Sequence, residues 1–255
     1  MEEKKIKDHV KERYRKIATK ETSYCPCCGG TEDMLESALE QAKAMGYSQK
    51  EMESIPQDAI YGLGCGNPTA LAEISEGETV LDLGSGGGID VFLASKKVGS
   101  SGRVIGVDMT HEMVKTAIQN AEEGGYQNVQ FKLGEIEDLP IEDETIDVII
   151  SNCVINLTPN KNIAYREAFR VLKPGGRILV SDLVTHGEIP EDIRRSFQAW
   201  SDCIAGAMEK QKYLNTITLA GFKDVEIMEA HYFTEPNMNI RLEGKILSIQ
   251  VKAIK

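Results

Sequence analysis

At 255 residues the chain is long enough for one α/β domain with an appendage and a sizeable buried core. Against 40 acidic residues stand 29 basic ones, a net charge of −11 with no lysine/arginine cluster beyond an amphipathic N-terminus, which argues against a nucleic-acid substrate because phosphate binding needs a basic footprint. No apolar run approaches the ~18 residues of a membrane span, and Met1–Arg15 is charged rather than signal-like, so a cytoplasmic protein with reduced cysteines and no membrane partner is expected.

Lys4–Lys20 predicts an exposed helix with Val10, Tyr14 and Ile17 on one face. Tyr24–Gly30, Y-C-P-C-C-G-G, is irregular; Glu32–Met45 is a second helix, stopped by Gly46. Ser48–Pro56 and Asp58–Gly66 then lead through Y-G-L-G-C-G-N-P to Pro68. Residues 1–67 thus read as a mostly helical cap carrying Cys25, Cys27, Cys28 and Cys65, and residues 68–255 as a catalytic domain. From residue 75 strand and helix alternate, with strands at Thr79–Leu83, Arg103–Val107, Val129–Leu133, Ile146–Ser151 and Arg177–Val184. Helices fall at Gly88–Lys97, His111–Glu123 and Asn162–Leu172, then at Ile189–Ala207 and Tyr213–Ala220. Asp224–His231 and Lys245–Ala253 are two last strands, seven in all. Such alternation implies a parallel sheet with right-handed crossovers and helices on both faces.

Thr79–Gly88, T-V-L-D-L-G-S-G-G-G, organises the rest. A buried strand runs straight into a glycine turn and then a helix, which brings backbone N–H groups against a ligand. The spacing is G-x-G-x-G, and Ile89 stands where a dinucleotide fingerprint would place its third glycine. Asp82 lies inside the strand, and the second strand ends at Asp108, an acid placed to take ribose hydroxyls. An acid at the glycine turn suits a cationic ligand rather than a pyrophosphate. In open α/β sheets ligands bind beyond the carboxyl ends of the strands. That rule selects Asp82, Gly84, Ser85 and Gly86 after the first strand, and Asp108 and Met109 after the second. It adds Gly134, Glu135 and Ile136 after the third, and Asn152 and Cys153 after the fourth.

On these residues the sequence resembles the seven-strand Rossmann-like methyltransferases, which implies S-adenosyl-L-methionine as cofactor. In that layout Gly134-Glu135-Ile136 holds the adenine, with Ile136 against a ring face, and Asn152 meets the methionine end. A final antiparallel strand is a further implication of the resemblance.

The cysteines point to the substrate. Cys153 ends the fourth strand, Cys203 lies in W-S-D-C-I-A-G-A after the fifth, and Cys65 lies in the last cap loop. Free cysteines are ordinarily small buried hydrophobes, but three segments each bringing one to a site rim is an unusual arrangement. Thiolates select soft acceptors. Zinc wants four ligands, and these three lack the C-x-x-C spacing of a finger, so no resident metal is expected. Trivalent arsenic takes three ligands and keeps a lone pair that can attack a methyl carbon without a general base.

Here the chain resembles the arsenite S-adenosylmethionine methyltransferases, through I-A at 17–18, C-C-G at 27–29, G-C-G-N-P at 64–68 and S-N-C-V-I-N-L at 151–157. The resemblance implies that Cys65, Cys153 and Cys203 bind trivalent arsenicals, supplied as thiol conjugates, in arsenic detoxification. It also implies an accessory thiol at Cys27 or Cys28 that pairs reversibly with Cys65, and a reductant such as thioredoxin or glutathione. Two departures stand out: Ser85 replaces a glycine-loop cysteine common in the family, and Cys25 makes the accessory partner ambiguous. The rival readings are a C- or O-methyltransferase of another metabolite and a non-catalytic metalloid-binding protein.

Overall fold

The computed structural model describes residues 3–21, 31–234 and 238–255. Cys25, Cys27 and Cys28, and with them the expected accessory thiol, lie outside the described residues. Among the described residues eight strands form one sheet: β1 (Thr79–Leu83), β2 (Arg103–Asp108), β3 (Val129–Leu133), β4 (Ile146–Asn152), β5 (Leu172–Thr185), β6 (Met208–Glu209), β7 (Lys223–Tyr232) and β8 (Ile246–Ile254). The order is β3-β2-β1-β4-β5-β8-β7, with β6 beside β5. β1 to β5 are parallel, and β8 lies antiparallel between β5 and β7. The result is a Rossmann-like methyltransferase sheet with one strand more than the expected seven.

The short runs T-V-L-D-L and I-D-V-I-I become central strands because their β-branched side chains pack on both sheet faces. Leu81, Leu83 and Ile149 join one core, whereas Val80, Val148 and Ile150 join the other. The chain reverses direction across the sheet between β1 and β4, which pair directly. The crevice beyond their carboxyl ends is where such sheets bind ligands. The helix α5 (Ile89–Val98) starts there, immediately after the glycine turn.

Two expected elements differ. β5 starts at Leu172, five residues early, because K-P-G-G continues as extended chain across a register shift between Ile146 and Val148; a bulge leaves room for a proline and glycines within a strand. The expected helix Ile189–Ala207 is two short turns, α8 (Glu191–Arg194) and α9 (Phe197–Ser201). Ser196 starts the second turn by accepting from the Ala199 N–H at 3.2 Å, and at Cys203 the backbone turns left-handed, φ 61°.

The N-terminal helix α1 (Glu3–Ala18) packs on α9 and on α6 (His111–Glu123). It buries Ile6, Val10 and Ile17, and its charges do more than face solvent. Arg13 pairs with Asp202 at 2.6 Å, and Lys7 pairs with Glu135 and Glu137 at 2.6 and 2.8 Å. The helix α2 (Thr31–Ala44) and the loop through Gly62–Gly66 complete the cover over the crevice. Among the described residues no helix is long and apolar enough to cross a membrane.

Candidate active site

One cavity at the switch point is lined by Asp82, Gly84, Ser85, Gly86, Asp108, Met109, Ile136, Asn152, Cys153 and Cys203. β1 delivers Asp82, the glycine turn delivers its backbone, and β2 delivers Asp108. At Gly84, φ 71°, a Cβ would meet Val154 at 2.4 Å, so only glycine allows the turn to pass the segment that follows β4. Asp108 braces that turn: Oδ2 accepts from the Gly86 N–H at 3.0 Å and Oδ1 from the Thr110 N–H at 2.8 Å.

The carboxylates are short of cations. Burial pushes the Asp82 carboxyl well above its ordinary range, with Asp90 and Asp108 adding repulsion. Burial pushes Asp90 up to about 7, although both its oxygens accept from the Tyr47 hydroxyl, and it raises Asp108 as well. The lysine reaching this cavity, Lys7, is already paired with Glu135 and Glu137. Three acids sharing a buried space, with a hydroxyl and backbone N–H groups but no ion-paired cation against them, favour a cationic ligand. A ligand bearing a sulfonium and an ammonium fits that demand, and the spare lone pairs of Asp108 fit two ribose hydroxyls.

Two expected donor contacts are placed differently. Glu135 does not line the cavity; its carboxylate is drawn out to Lys7, and Glu137 takes the lining position. Asn152 lines the cavity but its side chain serves the cap loop: Oδ1 accepts from the Cys65 N–H at 2.9 Å, and Nδ2 donates to the Gly66 carbonyl at 2.7 Å and the Tyr47 hydroxyl at 3.0 Å. With Ser248 Oγ donating to the Cys65 carbonyl at 2.7 Å, the loop is pinned to β4 and β8 rather than loosely hinged.

Cys65, Cys153 and Cys203 are all free and buried. The Cys203 thiol donates to the Cys153 carbonyl at 2.9 Å. Contacts with the Cys203 and Cys65 thiols, together with burial, push the Cys153 thiol well up, and burial pushes Cys65 up. Cys153 and Cys203 both have left-handed backbones, φ 61° each. Such strain in non-glycine residues gathers at functional sites. Cys65 opens instead on a second cleft, of about 920 Å³, between the cap, α8–α9 and the β7–β8 hairpin.

Sequence reasoning missed Asp90, Tyr47 and Asp182. Asp182 is fully buried on β5, and its carboxylate lies within 4.8 Å of the Cys65 and Cys153 sulfurs. The available signal was the one that exposed Asp82: an acid inside an apolar run, here I-D-V-F-L and V-S-D-L-V.

Residues 74–221 match the family described as Methyltransferase domain. The chain is similar to an arsenic(III) S-adenosylmethionine methyltransferase from Chlamydomonas reinhardtii, whose crystal structure superposes with a TM-score of 0.68 at 34% identity, covering 87% of this chain and 73% of that one. The chain belongs to the arsenite S-adenosylmethionine methyltransferase family. Arsenite methyltransferase of Halobacterium salinarum is 41% identical over 240 residues, 90% of this chain and 60% of that protein. The human arsenite methyltransferase is 38% identical over 191 residues, 71% of this chain and 50% of that protein. The chain thus spans half to three-fifths of the length of these two curated family members.

Proposed function

We propose that the protein transfers the methyl group of S-adenosyl-L-methionine to trivalent arsenic held by Cys65, Cys153 and Cys203. The observation that carries this reading is that two of these cysteines line the same cavity as Asp82 and Asp108, and the third has its sulfur within 4.8 Å of Cys153. S-adenosylmethionine, when bound, supplies an electrophilic methyl group on a sulfonium. Asp82 and Asp90 favour its positive charges, Asp108 takes the ribose, and Ile136 packs against the adenine. The Cys153 backbone N–H donates to the Ser181 carbonyl at 2.7 Å, which fixes this thiol on the rigid end of β4.

Arsenite is the substrate, bound by exchange of its hydroxyls, or of the thiols of a conjugate, for cysteine sulfurs. Three thiolates satisfy its valences and leave the lone pair free on the open side. That lone pair is the nucleophile, so no residue has to remove a proton from it. Catalysis reduces to positioning and exclusion of water, worth several kcal/mol. α1 contributes to that exclusion through Lys7 and Tyr14, both at the cavity. Arsenic binding needs these cysteines as free thiols, which suits a cytoplasmic protein served by thioredoxin or glutathione, acting in arsenic detoxification.

The test is methyl transfer from labelled donor to arsenite with glutathione present, run on Cys153→Ser and Cys203→Ser. Each should lose arsenite methylation while binding the donor as the parent does, because serine matches the size of cysteine but is a hard ligand. Full activity in either variant would sink the three-thiol site.

A further inference from the structure

The proposed reaction gives Asp182 no task, yet its position is specific. Its carboxylate oxygen and the sulfurs of Cys65 and Cys153 lie mutually within 4.8 Å, all three residues buried. The carboxylate is held in place by the Tyr213 hydroxyl, which donates to Oδ2 at 2.9 Å, and by the Leu183 N–H, which donates to Oδ1 at 3.0 Å. Tyr165 donates in turn to the Tyr213 oxygen at 2.6 Å, so the chain of hydroxyls ends on Asp182 and fixes its orientation. Neither direct partner is a cation.

Trivalent arsenic has no use for this oxygen, since three sulfurs already complete it. A thiophilic divalent cation does. Zinc takes four ligands in a tetrahedron, and mixed sulfur–oxygen sets are within its range. Zn–S bonds of about 2.3 Å place two ligand sulfurs about 3.8 Å apart in a tetrahedron, so closing a set already within 4.8 Å needs shifts of about 1 Å or less. The fourth position falls to water, because Cys203 lies outside the set of three residues that converge here. The charge also balances: a dication with two thiolates and a carboxylate leaves one negative charge, and Lys161, itself buried, lies close enough to Asp182 and Cys203 to interact with both.

We infer that Cys65, Cys153 and Asp182 form a binding site for a thiophilic divalent cation, with zinc as its representative, that excludes trivalent arsenic while occupied. On binding, the two thiols ionise and release two protons to solvent, and nothing is oxidised or reduced. The arsenic site and the cation site share Cys65 and Cys153 but differ in one member, because Cys203 belongs to the first and Asp182 to the second. Cation binding would hold the two thiols apart from oxidants and set a zinc-dependent threshold for loading arsenic.

The experiment uses full-length reduced protein carrying Cys25→Ser, Cys27→Ser and Cys28→Ser, so that only the three described thiols report. Zinc is titrated against a chromophoric chelator with neither methyl donor nor arsenic present, so the result does not depend on methyl transfer. One zinc per chain is expected. Asp182→Asn and Cys65→Ser should each weaken it at least tenfold, and Cys203→Ser by less than threefold. Arsenite binding, followed by the fluorescence of Trp200, which packs in the same core as Cys203, should show the opposite order: sensitive to Cys203→Ser and insensitive to Asp182→Asn. Absence of zinc binding in the parent would overturn the inference, and so would an Asp182→Asn protein that binds zinc as the parent does. Should Asp182→Asn fail to fold, the parent and Cys65→Ser decide: the inference stands if one equivalent of arsenite displaces the zinc and Cys65→Ser weakens it, and falls if either does not happen.

Discussion

Asp108 is the residue whose replacement tests the donor site most directly. Its two oxygens already hold the Gly86 and Thr110 N–H groups, at 3.0 and 2.8 Å, and each has a lone pair to spare in a residue that lines the cavity. If those lone pairs take the two ribose hydroxyls, Asp108→Ala removes two hydrogen bonds to an ionised group, each worth ~1.5–3 kcal/mol when buried. Water entering the space left behind recovers part of this, so the net loss should be about 1.5–3 kcal/mol, or roughly 10- to 150-fold in Kd. Isothermal titration with S-adenosylmethionine, S-adenosylhomocysteine and adenosine separates ribose recognition from charge. All three carry the ribose and should lose a similar factor, whereas only the first carries the sulfonium. Asp108→Asn should fall between, because its amide nitrogen opposes one of the two backbone N–H groups. A folded Asp108→Ala protein with parental affinity would refute the ribose assignment. Loss confined to S-adenosylmethionine would show that Asp108 acts through charge alone.

Donor affinity should rise with pH through neutrality. Asp90 sits near 7, and burial raises Asp82 well above the ordinary carboxylate range; a bound cation favours the ionised carboxyls, so binding releases protons and weakens as pH falls below about 7, by up to ~tenfold per unit for each proton released. Uncharged adenosine should show no such slope, and a flat profile for S-adenosylmethionine between pH 6 and 8 would contradict the carboxylate cluster. Gly64→Ala should disturb the third thiol at a distance: at φ 126° the new Cβ would lie 2.6 Å from Asn152 Oδ1, the acceptor of the Cys65 N–H. A cost of about 1–3 kcal/mol in urea unfolding and a lower arsenite affinity are expected, and an unchanged protein would mean that Asn152 does not position Cys65. Cys65→Ser should lose methylation of arsenite but keep much of its activity on methylarsenite, which has one valence taken by carbon and needs only the two thiols that share the donor cavity. Equal loss on both substrates would place Cys65 in the core of the site.

The sequence by itself determined the sheet and its ligand end. Strands such as Thr79–Leu83 and Val129–Leu133 are legible to the residue because apolar periodicity and a glycine stop are local signals. The glycine turn and Asp108 follow from the same locality, since the residues after a parallel strand must lie at its carboxyl end. The tertiary structure alone decided which side chains look into the cavity. Glu135 is one residue from Ile136, yet Lys7 from a helix 128 residues away draws it to the surface. The break between α8 and α9 had no proline or glycine to announce it. It falls at Arg195–Ser196, where Ser196 caps the new turn; α9 in turn stops short of Cys203, whose left-handed backbone lies against Cys153, a contact across 50 residues. Asp182 is the same kind of case: an acid in an apolar strand is visible in the chain, but its nearness to Cys65 and Cys153 comes from β5 pairing with β4 and from the Cys65 loop docking on β8. Pairings between distant segments are set by packing and loop closure, which no window of neighbouring residues records.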